Sequence, residues 1–268
     1  MKHLQGVLFD WAGTTVDYGC FSPVNVFVEV FRMRGVEITM KEAREPMGLL
    51  KIDHIRAICE MDRVAEAWED VHGSRPNEQD VVEMYEEFEP LLFSTLKDYT
   101  EPLPHVVEAV QSLREAGLKI GSTTGFTREM IEVVAEEAKK HGYMPDAIVT
   151  STDVPAGRPY PWMAFTNAME LNIYPMSSMV KVGDTVSDMK EGVHAGMWTV
   201  GVVLGSSTLG LSKDDVARLD ETTLEAHIQE ARRRLVEAGA DYVIRDMSEL
   251  MGILHEIDER YETDVLHA

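Results

Sequence analysis

The stretch Gly6-Val7-Leu8-Phe9-Asp10-Trp11-Ala12-Gly13-Thr14-Thr15-Val16-Asp17 decides the fold. Its first four residues read as a short buried strand. Asp10 stands where that strand must end, and Gly13 and Thr14 supply turn chemistry directly after it. In open parallel α/β sheets the C-terminal strand tips form the ligand edge, so a carboxylate there is placed for chemistry. An Asp that merely caps a turn is the other reading, because Asp is a common turn former. The later motifs of the chain separate the two.

From Asp17 to about Tyr99 strand patterning stops and the chain reads as helical. Ser22-Pro23 reads as an N-cap with Pro at the first helical position, and Gly35 closes a helix with apolar residues Val24, Phe27, Val28 and Phe31. Val26, Val30 and Met33 make a second apolar face, which calls either for a partner subunit or for burial within the same chain. Thr39 to Glu42 has capping-box spacing and Pro46 interrupts. Met47-Gly48-Leu49-Leu50-Lys51-Ile52-Asp53-His54 then leads into a helix ending near Met61. Asp62 and Asn77 read as further N-caps, with Gly73 as a stop between them.

From Pro102 onward strands and helices alternate. Helices are expected over 105–116, 128–140, 161–171 and 224–238, and strands over 118–122, 147–150, 179–182, 197–203 and 242–244, with a helix at the C-terminus. Such alternation specifies a doubly wound parallel α/β sheet. The expected organisation is a Rossmann-like core of residues 1–19 and 100–268 carrying a helical cap of residues 20–99.

Composition supports a soluble protein. At 268 residues and 44% apolar the chain can bury a full core without staples. Cys20 and Cys59 are too few for a disulfide framework or a zinc site, which favours a reducing compartment, with the cytoplasm as the expected location. The N-terminus runs straight into the first strand with no leader pattern, and no apolar run is long enough to span a bilayer. The formal net charge of -22 argues against nucleic acid and anionic membrane as partners. A phosphorylated or phosphonylated substrate would therefore need a site made locally cationic by metal, Lys and Arg.

Three strand ends carry polar groups: Asp10, Thr124 and Asp184. Parallel strands bring such tips to one edge. Thr124 reads either as a donor to a phosphoryl oxygen or as a helix cap, and Gly125 behind it offers a backbone amide to an anion under both readings. Arg158, in Gly157-Arg158-Pro159-Tyr160-Pro161, brings a fixed charge and a planar fork suited to bridging a phosphoryl group and Asp10. Asp184 and Asp188, four residues apart after a strand, can face Asp10 and hold Mg²⁺ with hard oxygen ligands. Asp188 alternatively caps a helix.

The order of these motifs resembles the haloacid dehalogenase superfamily of phosphotransferases. Its first motif is Asp-x-Asp-Gly-Thr, and this chain carries Ala12 where the second Asp, the general acid and base of its phosphatases, is usual. Arg158 stands where Gly-Lys-Pro is usual. The resemblance implies metal ligation by Asp10, the Ala12 carbonyl and Asp184, with Asp188 supporting.

Phe9 to Asp17, Met47 to His54, Val154 to Trp162 and Val182 to Lys190 together resemble the phosphonatase family within that superfamily, across essentially the full chain. This implies hydrolysis of the P–C bond of phosphonoacetaldehyde, with Asp10 as nucleophile and Lys51 as a Schiff-base lysine. An isolated Lys on a cap helix is otherwise usually a solvated surface residue. The chemistry supplies a separate reason: P–C cleavage expels a carbanion, and a protonated imine accepts those electrons, so the absent acid at Ala12 makes sense. Lys51 must be neutral to attack, which a dry site beside Mg²⁺ and Arg158 favours. His54, three residues on, either relays protons or packs in the core. Cys20, Met47, Gly48 and Phe126 are implied to line the site, with Phe126 where relatives tend to carry Tyr. The resemblance also implies a homodimer through the cap helices. The competing readings are a Mg²⁺-dependent phosphomonoesterase or phosphomutase, which needs the acid that Ala12 lacks, and a non-catalytic binding member.

Overall fold

Gly6–Phe9 is the central strand β1 of a six-stranded sheet in this computed structural model, which describes residues 1–265. Five helices come next: α1 Phe21–Met33, α2 Met40–Arg44, α3 Lys51–Cys59, α4 Asp62–His72 and α5 Glu78–Thr95. The core resumes with α6 Val106–Glu115, β2 Lys119–Thr124, α7 Arg128–Lys140, β3 Ala147–Thr150, α8 Trp162–Glu170, β4 Met179–Gly183, α9 Val186–Ala195 and β5 Trp198–Val202. It ends with α10 Lys213–Arg218, α11 Glu221–Glu237, β6 Tyr242–Ile244 and α12 Leu250–Val265. The doubly wound α/β reading holds, and α10 is a short element the sequence pattern did not suggest.

All strands are parallel in the order β3-β2-β1-β4-β5-β6. The order reverses at β1, which pairs β2 on one side and β4 on the other, with Phe9 opposite Ser122 and Val182. This is the switch point where an open parallel sheet leaves a crevice at its C-terminal edge, and Asp10 is the next residue. Successive strand side chains go to opposite faces. Val7 and Phe9 join the larger apolar cluster, which continues into cap residues Phe27, Met84 and Phe88, while Leu8 joins the cluster under α8.

Two of the expected N-caps do not cap their helices. Ser22 does not cap α1: it lies inside the helix, and Asp17 does the capping, its two carboxylate oxygens accepting from the Phe21 and Ser22 amides at 2.9 and 3.0 Å. Asp17 and Cys20 both adopt left-handed backbone (φ 57° and 53°), so the chain doubles back and brings an upstream carboxylate to the helix end. Sequence spacing alone does not reveal that reach. Asp62 likewise is the first residue of α4 and makes no capping bond. Thr39 and Asn77 do form capping boxes, with Glu42 and Asp80.

The second face of α1 resolves toward burial within the chain. Val26 and Val30 are buried, and only Met33 is exposed. Cys20 and Cys59 are both buried free thiols. Among the described residues no helix is long and apolar enough to cross a membrane.

Candidate active site

The turn after β1 is built on one carbonyl. Trp11 O accepts from the amides of Thr14, Thr15 and Val16, while Thr15 Oγ1 donates to Asp10 O at 3.0 Å. Gly13 has φ +88°, and a Cβ there would lie 2.5 Å from Asp184 Oδ2, so glycine is required on both counts. The Asp10 amide donates to Val182 O at 3.0 Å, holding the carboxylate at the sheet edge.

Asp10, Asp184 and Asp188 are buried and offer ligand oxygens that all lie within 4.8 Å of one another. Asp184 is held by Thr14 Oγ1 (3.0 Å) and the Ser207 amide (2.6 Å). Asp188 sits in the first turn of α9, where its Oδ2 closes a capping box with Thr185 and its Oδ1 lies 3.1 Å from Arg158 and 3.0 Å from Lys181. Asp188 therefore caps α9 through one oxygen and faces the carboxylate cluster, Arg158 and Lys181 with the other. Burial first, then repulsion from Asp10 and Asp188, pushes the Asp184 carboxyl well above the usual range. Burial also raises Asp10, against the pull of Arg158. At Asp188 burial acts upward too, but Arg158 and Lys181 outweigh it and hold the group low. Three crowded carboxylates, two of them reluctant to ionise, are the donor set of a hard divalent cation and fit one well.

Arg158 is buried and donates from Nη2 to Asp10 Oδ1 at 2.7 Å. Its Nη1 is buried without a partner, leaving a donor for an oxyanion on a residue that lines the cavity. Thr124 Oγ1 accepts from the Phe126 amide at 3.1 Å, a turn contact that leaves its hydroxyl proton for another acceptor. Thr127, not Thr124, caps α7.

Lys51 opens α3, and its first-turn position sets its ammonium against the positive end of the helix. Burial pushes its pKa below the ordinary lysine value, with Cys20 and Asp10 opposing and Arg158 assisting. Its Nζ lies 5.0 Å from the Phe126 ring centre and 5.9 Å from that of Phe27. A small cavity of about 20 Å³ is lined by Asp10, Ala12, Cys20, Met47, Gly48, Lys51, Thr124, Gly125, Phe126, Arg158 and Thr185. That is room for about one water, so the cap is closed. Gly48 and Gly125 make the closure possible: a Cβ on Gly125 would lie 2.5 Å from Leu49 O, and one on Gly48 2.7 Å from Thr185 Oγ1. His54 does not line the cavity. It stacks on Phe27 at 3.8 Å, with Nε2 2.9 Å from Ala43 O, and burial followed by the Lys51 charge keeps it neutral. Burial likewise keeps the Cys20 thiol protonated.

A family model described as haloacid dehalogenase-like hydrolase matches residues 4–196. A phosphonoacetaldehyde hydrolase of Bacillus cereus (strain G9842) is 59% identical over 257 residues, covering 96% of this chain and 97% of that protein. The chain belongs to the phosphonoacetaldehyde hydrolase family. Its relative in Bacillus anthracis is 58% identical over 96% of this chain and 97% of that one. The crystal structure of a phosphonoacetaldehyde hydrolase-like protein from Oleispira antarctica superposes with a TM-score of 0.93 at 37% identity, covering 96% of this chain and 94% of that chain. A β-phosphoglucomutase from Clostridium difficile, at TM-score 0.67 and 16% identity over 97% of this chain and 99% of that one, shares the fold alone.

Three residues at this phosphonoacetaldehyde hydrolase family site were missed by sequence reasoning. Thr185 lines the cavity, and Lys181 and Glu191 are fully buried beside Arg158. A lysine between two valines in a fully buried strand was the available signal, because Lys is almost never fully buried unless paired.

Proposed function

We propose that this chain hydrolyses the P–C bond of phosphonoacetaldehyde, giving acetaldehyde and phosphate. One observation carries the reading: a lysine amine held below its ordinary pKa and a carboxylate paired to Arg158 share one closed cavity, and the position two residues past the carboxylate is Ala12. A phosphomonoesterase of this fold would need an acid there.

In the reaction the neutral Lys51 Nζ adds to the aldehyde carbon, and loss of water with uptake of one proton leaves a protonated imine, the proton being returned when the imine is hydrolysed. A carboxylate oxygen of Asp10 then attacks phosphorus, and the P–C electron pair moves into the imine, giving an aspartyl phosphate and an enamine on Lys51. The enamine takes a proton on carbon. Water hydrolyses the resulting imine to acetaldehyde and free Lys51, and a second water hydrolyses the aspartyl phosphate to phosphate. The waters released and consumed leave one net, as hydrolysis requires. Arg158 Nη1 and the Thr124 hydroxyl donate to the phosphoryl oxygens, while Gly48, Gly125, Met47, Cys20 and Phe126 enclose the substrate. His54 holds the α3 wall through Phe27. Asp10, the Ala12 carbonyl and Asp184, with Asp188 in support, would hold Mg²⁺, which when bound would supply positive charge against the phosphoryl oxygens.

The cap of residues 20–99 opens from the core of 1–19 and 100–268 to admit substrate, because the closed cavity is far too small for it. The enzyme works in the cytoplasm as a homodimer through its cap helices, with Met33 the exposed apolar residue of α1; light scattering at micromolar concentration returning a monomer would overturn the dimer.

The function is tested by trapping. Borohydride added with phosphonoacetaldehyde should inactivate the enzyme and label Lys51, and Lys51→Arg should escape labelling and lose P–C cleavage, since a guanidinium stays protonated. A label on another lysine, or near wild-type phosphate release by Lys51→Arg, would refute the mechanism.

A further inference from the structure

A second set of buried charges lies behind Arg158, and the chemistry above does not use it. Lys181 sits in the middle of β4 between Val180 and Val182, and Glu191 lies on α9 one turn beyond Asp188; both are 0% exposed. Buried charges are costly unless fully paired. Here they are paired to each other, with Lys181 Nζ 2.9 Å from Glu191 Oε2. The same carboxylate oxygen accepts from Arg158 Nε at 3.0 Å and from Thr123 Oγ1 at 2.9 Å. Thr123 Oγ1 in turn accepts from Lys181 Nζ at 2.6 Å and from Arg158 Nη2 at 2.7 Å. Its one proton and both lone pairs are committed. Gly192 lets α9 approach this closely, since a Cβ there would lie 3.0 Å from Lys181 Cβ.

We infer that Lys181 and Glu191 are positioning residues that aim Arg158 at the reacting phosphorus; the inference rests on the proposed reading of this site. Glu191 takes Nε and Thr123 takes Nη2, which fixes the guanidinium plane with Nη2 against Asp10 and Nη1 unpartnered. A lone Glu191 would draw Arg158 away from Asp10, and Lys181 offsets that pull while also pairing with Asp188. Charge balance points the same way. Asp10, Asp184, Asp188 and Glu191, taken ionised, face Arg158 and Lys181, and the remaining two negative charges are what one divalent cation neutralises.

Two double variants isolate the aim of Arg158 from the charge balance. Lys181→Met with Glu191→Gln, and Lys181→Met with Glu191→Leu, both remove the pair without changing net charge, and replacing both partners of a buried ion pair is often neutral for stability. Only the Gln variant keeps an acceptor for Arg158 Nε. In single-turnover experiments the Gln variant should release phosphate within about threefold of wild type, and the Leu variant about 10- to 100-fold slower, the loss expected for a hydrogen bond to a charged group. Imine trapping at Lys51 should be unchanged in both, because that step is made by the cap. Equal phosphate-release rates in the two variants, with trapping intact, would overturn the inference; failure of wild type to trap would instead overturn the proposed function. Should a double variant fail to fold, Thr123→Val against Thr123→Ser asks the same question, and a Val variant with wild-type phosphate release overturns it.

Discussion

Gly125→Ala should disable the enzyme without unfolding it. The added Cβ would lie 2.5 Å from Leu49 O and 3.1 Å from Gly48 O, both backbone atoms of the cap segment that leads into Lys51. A carbonyl cannot swing aside like the end of a side chain, so the segment must retreat by about 0.9 Å to reach the ordinary 3.4 Å contact. Lys51 is two residues from Leu49 and moves with it, away from Asp10 and Thr124 across a cavity of about 20 Å³. A misplacement of about 1 Å in a site of this kind costs on the order of 100-fold in rate. The variant should therefore show kcat/KM lowered about 100-fold in an acetaldehyde-coupled assay, with slower borohydride trapping at Lys51. Its thermal unfolding should stay close to wild type, since the methyl enters a cap–core seam and no apolar packing is lost. Gly252→Ala, on α12 with nothing within 4 Å of the new Cβ, is the control and should be active and slightly stabilised. A Gly125→Ala enzyme with kcat/KM within about twofold of wild type would refute the closure argument.

Asp10→Asn should abolish phosphate release while the circular dichroism spectrum stays native, because an amide neither attacks phosphorus nor balances Arg158; measurable turnover by the purified variant would mean another nucleophile. Asp17 carries a pH signature, since burial raises its pKa to about 7 against the bonds from Ser22 and Phe21. The folded protein binds that proton more tightly than the unfolded chain, so the stabilisation is full below about pH 4 and is lost as pH rises through about 7. Asp17→Asn fixes the neutral form, so its melting temperature relative to wild type should rise between pH 4 and pH 7; a pH-independent difference would refute the assignment. Mg²⁺ at millimolar concentration should raise the melting temperature and a chelator lower it, because a ligand of the folded state alone stabilises by mass action; no shift by calorimetry would count against a metal at the three aspartates.

Local rules made much of this protein readable in its sequence. Short apolar runs and glycine stops located the six strands, and β3, α7 and β6 have the expected bounds. Strand tips in a parallel sheet must share an edge, so topology alone brings Asp10, Thr124 and Asp184 together. Every cavity-lining residue except Thr185 was in the expected site. Resemblance carried Lys51 and Met47, which no local pattern distinguishes from surface or core residues.

What the tertiary structure decided are the pairings between elements. Ser22 fits the local pattern of a cap and Asp17 lies too far upstream to fit it, yet the left-handed turn through Asp17 and Cys20 brought Asp17 to the helix end. Val26 and Val30 face either a second subunit or their own core, and the packing of α1 within the cap buried them. His54 shares a helix with Lys51, yet stacking on Phe27 turned it from the cavity. Lys181 and Glu191 look like an odd lysine and an ordinary helix glutamate until β4 and α9 pack together. Periodicity and capping are properties of neighbours in sequence, whereas the cost of a buried charge depends on which opposite charge the fold brings within about 3 Å.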